Sequence, residues 1–88
     1  MPKFRKKPVE VEAEQFTDET KDQVYNWMTG QVAASYEDGK PIIKFKTVHG
    51  ETAVARFGDW VVKDKKIGTY YPVKDDIFRE TYEEIEEE

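Results

Sequence analysis

No cysteine occurs in this 88-residue chain, and histidine occurs once, at His49. The first absence excludes disulfides, thiolate metal sites and cysteine nucleophiles together. The second leaves a single imidazole in a turn with no obvious partner, which is weak ground for catalysis or metal binding. No apolar run approaches the roughly 18 residues of a membrane span, and no signal-peptide apolar core follows the basic start. A soluble protein of the cytosol, without membrane contact or cofactor, is therefore the expectation. Apolar residues are scarce at 38%, and charged residues are as frequent. The net charge of −5 weighs against general nucleic-acid binding, since that affinity rests on neutralising phosphates.

What the chain does have is aromatics: two tryptophans, five tyrosines and five phenylalanines. Each can bury on the order of 150–250 Å², so a small aromatic-heavy core is expected in place of disorder. The length allows one domain, residues 1–88, with 1–7 and 86–88 frayed. Charge is polarised along it. Lys3, Arg5, Lys6 and Lys7 crowd the start, and six glutamates crowd the end from Glu80 onward. Two solvated ends, or terminal strands lying side by side, explain this more simply than a basic arm or an acidic mimic of nucleic acid.

Residues 8–15 alternate, with Val9, Val11 and Ala13 on one face and Glu10, Glu12 and Glu14 on the other. That period of two predicts a strand with one buried and one wet face. A helix over about 18–29 follows, its stripe made by Thr20, Val24, Trp27 and Met28, with Gly30 as its stop. Asp38-Gly39 predicts a two-residue hairpin turn. Val32 then faces Phe45, Ala34 faces Ile43 and Tyr36 faces Pro41. His49-Gly50, read as a second two-residue turn, pairs Phe45 with Val54 and Ile43 with Arg56. A meander over 31–37, 42–48 and 51–57 results, with Val32, Ala34, Ile43, Phe45 and Val54 on its inner face. Lys44, Lys46, Ala53 and Ala55 then share the outer face, as an exposed surface or a shallow groove for an anion.

The stretch from Phe57 to Tyr82 carries the densest aromatic pattern. Trp60–Lys63 and 69–73 predict a hairpin around a polar loop, 64–68, in which Val62 meets Tyr70 and Trp60 meets Pro72. Apolar side chains on both faces imply cover on both sides, by a curled sheet, a helix or a partner. Asp75 is expected to cap a helical turn bearing Ile77 and Phe78, and a last strand is expected over about 81–85. Trp60, Tyr71 and Phe78 are expected to be largely buried. The fold class that follows is α+β: one twisted, mostly antiparallel sheet of five or six strands with one short helix on it.

Two blocks of residues stand out. The first, near the start, comprises Arg5-Lys6-Lys7-Pro8-Val9, Val11, Ala13, Gln15 and Phe16. The second comprises Gly58-Asp59-Trp60, Lys63, Gly68, Tyr71-Pro72, Lys74, Asp76-Ile77-Phe78, Thr81 and Tyr82. In these two blocks the chain resembles a widespread family of small bacteriophage and prophage proteins. Asp64 stands where that pattern has glycine. The resemblance implies phage origin and a single domain, and no activity.

The leading expectation is thus a non-enzymatic phage-encoded protein that binds a host or phage macromolecule, most simply a protein, in the host cytoplasm. Asp59, Trp60, Tyr71, Lys74 and Asp76 are the candidate binding residues of the aromatic stretch, and Lys44 and Lys46 those of the sheet face. The alternatives are a nucleic-acid-related role, a small-ligand or enzymatic domain built on the Asp59–Asp76 region, and a homo-oligomer covering an exposed face. Aspartates and tyrosines supply acid and base types there, but nothing in their spacing marks a catalytic set.

Overall fold

A computed structural model describes residues 2–3, 11–29, 32–64 and 68–82. Among the described residues the expected α+β class holds, with the strands antiparallel, but the strands form two three-stranded sheets, and there are two helices in place of one. The strands are β1 (Glu12–Gln15), β2 (Val32–Glu37), β3 (Lys40–Lys46), β4 (Thr52–Ala55), β5 (Trp60–Lys63) and β6 (Tyr70–Val73). The helices are α1 (Lys21–Trp27) and α2 (Asp75–Thr81). The sheet orders are β1-β5-β6 and β2-β3-β4, and the two sheets approach each other along β4 and β6.

The first hairpin forms as its turn chemistry dictates. Asp38 and Gly39 both take positive φ, 50° and 76°, as a two-residue turn between right-twisted strands requires. Val32 pairs with Phe45, Ala34 with Ile43 and Tyr36 with Pro41. The second hairpin departs from expectation by one residue. Gly50 N–H donates to Thr47 O (3.0 Å) and Thr47 N–H to Glu51 O (2.9 Å). Those bonds close a three-residue loop, 48–50, with Gly50 at φ 79° as its bulge. Phe45 therefore pairs with Ala53 and Ile43 with Ala55, where Val54 and Arg56 were expected. A one-residue slip exchanges the faces: Ala53 and Ala55 point to the core, and Val54 points outward beside Lys44.

The β5–β6 hairpin shifts in the same way. Val62 pairs with Tyr71 and Trp60 with Val73, because Asp64 N–H bonds Thr69 O (2.9 Å) and four residues separate that pair. In β1, Ala13 pairs with Val62 and Glu14 with Val61. Val61 belongs to the main core, so Glu14 lies on the core side at the sheet's edge, half-buried, and not on a wet face.

The core fills the space between the two sheets. Phe16, Val24, Met28, Ile43, Phe45, Ala55, Val61 and Tyr70 form it. The expected helical stripe supplies Val24 and Met28, and Trp27 packs edge-on to Tyr70 at 5.5 Å. The helix proper is shorter than 18–29, since 18–20 form a turn in which Thr20 donates its hydroxyl to Gln15 O (2.6 Å). Gly30 and residues 8–10 lie outside the described residues, and so do 83–85 of the expected last strand. Thr81, its expected first residue, closes α2 instead.

Gly58 positions everything that follows. Asp59 N–H bonds Arg56 O (2.9 Å) to close a turn, while Gly58 N–H bonds Phe16 O (2.7 Å) and Phe16 N–H bonds Asp59 O (2.8 Å). Two residues thus oppose one in a bulge that needs the φ of 98° seen at Gly58. It anchors Phe16 in the core and delivers Trp60 to the far face of the β1–β5–β6 sheet. There α2 covers Trp60 through Phe78, as the two-sided apolar pattern demanded, and Val62 on the same face is fully buried.

Candidate functional site

The far face holds most of the residues in the sequence that looked chemical. Phe78 of α2 stacks on Trp60 with ring centroids 4.1 Å apart and planes 7° from parallel. Phe78 stacks in turn on Tyr82 at 4.9 Å, and the Tyr82 hydroxyl meets that of Tyr71 at 3.1 Å. Trp60, Tyr71 and Phe78 each have most of their surface covered without being fully enclosed, in line with expectation. Burial, and the bond to Tyr82, push the Tyr71 phenol above its ordinary pKa. The phenol therefore stays protonated in neutral solution and is a weaker acid than an ordinary tyrosine.

Two aspartates organise the polar rim. Asp59 is only 7% exposed. Its Oδ2 accepts the Arg56 backbone N–H at 3.0 Å, and Lys74 Nζ stands 3.7 Å from its Oδ1. Asp59 therefore locks the turn before β5, with Lys74 as a largely exposed counter-charge. Asp75, which the sequence marked only as a cap, is the hub. Its Oδ1 accepts Trp60 Nε1–H (2.9 Å), Arg79 Nε–H (2.9 Å) and Gln15 Nε2–H (3.3 Å). The Gln15 amide also donates to Gly58 O at 3.1 Å. The indole N–H, then the Arg79 guanidinium, hold the Asp75 carboxyl below the usual carboxylate range. Asp76, its neighbour, is exposed. The signals for Asp75 were its i,i+4 spacing to Arg79 and the need of a half-buried indole for an acceptor.

Paired-carboxylate chemistry needs one carboxyl kept in its acid form at working pH. The surroundings of Asp75 push it the opposite way. Among the described residues no group of three or more histidine, aspartate or glutamate side chains is placed to hold a metal ion. The network is a latch between α2, β5 and the end of β1.

The latch has a pH signature. Because the folded-state pKa of Asp75 is depressed, its contribution is fully present above the unfolded value of about 3.9 and is lost as pH falls through the lower folded value. Acid titration followed by Trp60 fluorescence is therefore expected to show a transition below about pH 4. Asp75→Asn should remove most of it; an unchanged titration in that variant would contradict the latch.

Lys44 and Lys46 lie elsewhere, on the outer face of the β2–β3–β4 sheet. They do line a shallow groove, of about 280 Å³, together with Val32, Ala33, Phe45 and Thr52. Its small residue is Ala33, opposite Lys44 on β2, and not the expected Ala53 and Ala55. Lys46 Nζ–H donates to Thr52 Oγ1 at 3.1 Å. Further along the face, Arg56 grips Glu37 through two bonds, at 2.6 and 2.9 Å, reaching across β3 above the buried Ile42. The strand periodicity puts Lys40, Lys44, Lys46 and Arg56 on this face against Glu37 alone. A basic face on a chain of net charge −5 is a marked segregation.

Comparison with protein-family models, with curated proteins and with solved structures found no match to this chain.

Proposed function

We propose that this chain is a phage-encoded binding protein, without catalysis of its own, that engages an acidic surface on a host or phage protein in the host cytoplasm. The carrying observation is the contrast between its two polar regions. Asp59 and Asp75 are committed to internal donors, whereas the lysines of the outer face of β2–β3–β4 are exposed around an apolar-floored groove. Ammonium groups around apolar floor suit an acidic segment with an interleaved apolar side chain, because charge steers encounter and the floor gives contact area. The resemblance of both chain ends to phage proteins supports the origin.

The test is capture from bacterial lysate on the immobilised chain, in parallel with Lys44→Glu/Lys46→Glu and with Asp76→Ala. A retained acidic protein that is lost on the double variant, weakened by salt and kept on Asp76→Ala is the expected result. Equal retention on all three proteins would sink the reading. Nucleic-acid contact through the same lysines is the second reading, favoured by the cationic face and opposed by the net charge; retention that disappears on nuclease treatment would select it.

A further inference from the structure

Strand β2 (Val32–Glu37) is an edge strand, six residues long, and among the described residues nothing bonds its outer side. The turn at Asp38-Gly39 fixes which backbone groups those are. In a two-residue hairpin the pair flanking the turn, Glu37 and Lys40, is the closely bonded one. Ser35 and Ala33 then bond β3 as well, so the N–H and C=O groups of Val32, Ala34 and Tyr36 point away from the sheet. Natural edges are usually guarded by a lysine, a proline, a bulge or a covering segment. Val32 to Tyr36 contains no charge and no proline, pairs without interruption, and exposes both alanines.

We infer that β2 is a self-association edge, pairing antiparallel with β2 of a second copy about a two-fold axis through Ala34. The strand is self-complementary in that arrangement. Ala34 meets Ala34 of the second copy and Val32 meets its Tyr36, so the three outward-facing residues form three narrow pairs, each exchanging two hydrogen bonds. Tyr36, 73% exposed in the single chain, gains an apolar neighbour in Val32 of the other copy, which is itself half-buried. Ala33 meets Ser35 on the opposite face. No like charges oppose one another from Val32 to Tyr36, and the product is one continuous six-stranded sheet. An isologous contact of this kind closes at two copies.

Strand-edge contact alone falls short of the roughly 1,200 Å² of a standard interface, so the dimer is expected to be weak, with Kd of about 10–100 µM. Sedimentation equilibrium from about 5 µM to about 1 mM, a range that brackets such a Kd, should show monomer passing to dimer. Salt should favour the dimer, because each copy carries −5, whereas it weakens binding of an acidic partner, so the two ideas fail separately. Ala34→Pro removes one outward N–H without touching the β3 ladder, and Ala34→Lys sets two like charges face to face. Both should stay monomeric at every concentration while keeping the wild-type circular dichroism spectrum. A wild-type chain that remains monomeric throughout overturns the inference and leaves the edge to a foreign strand. So does a folded Ala34→Lys variant that dimerises as the parent does.

Discussion

Phe16→Ala is expected to lower the free energy of unfolding by about 3–5 kcal/mol, read as a shift of the urea midpoint. The ring is 1% exposed and sits in the main core, tilted against Phe57 at 5.2 Å. Its backbone bonds to Gly58 and Asp59 do not depend on the side chain, so the loss reports packing and the cavity left behind. A chain of this size has little to spare. With marginal stability typically near 5–10 kcal/mol for small domains, the variant should be substantially unfolded at 37 °C. Phe57→Ala is the comparison, because that ring lies at the surface on the other side of the same contact. Equal losses from the two substitutions would mean that Phe16 is not the residue that closes the core.

Trp60→Ala should cost about 2–4 kcal/mol, less than a fully buried tryptophan because the residue is partly exposed. The particular result lies in where the loss appears. Trp60 provides the stacking platform for Phe78 and the shortest neutral donor to Asp75. α2 has seven residues, no side-chain cap and no fully buried residue, and a helix that short does not hold itself together in water. Amide exchange across 75–81 should therefore become fast in Trp60→Ala while the β2–β3–β4 ladder keeps its protection. Trp60→Phe keeps a ring under Phe78 and removes only the indole donor, so α2 should stay docked and the acid transition of Asp75 should move up in pH. Uniform loss of protection in both sheets would show that the two layers are one cooperative unit.

Legibility from the sequence followed the uniqueness of each turn. Asp38-Gly39 has one low-strain solution, so the β2–β3 register, and with it the outward aim of Lys44 and Lys46, could be read directly. Gly50 can serve either as the second residue of a two-residue turn or as the bulge of a three-residue loop, and both satisfy its backbone. The residues of β4, Thr-Ala-Val-Ala, cannot arbitrate because both of its faces are small or apolar. The same ambiguity acts in β5 and β6, where neighbouring valines and tyrosines suit either face once the sheet is covered twice. α1 was visible in its stripe, whereas α2 showed only as the helical turn expected after Asp75, because seven residues are too few to display a stripe. The site was half visible. Residue types pointed to Asp59, Trp60 and Tyr71, but only the fold shows Asp59 tied into a turn and Asp75, not Asp76, at the centre of the hydrogen bonds.

The two tryptophans have a use that neither packing nor binding requires. Trp27 lies on the core side of the β1–β5–β6 sheet against Tyr70, and Trp60 lies on the other side against Phe78. The chain thus carries one indole on each side of that sheet, each against its own aromatic neighbour. Emission can be assigned to a layer by replacing one indole at a time. An event on the α2 side, such as protonation of the latch, then has an optical channel separate from opening of the core.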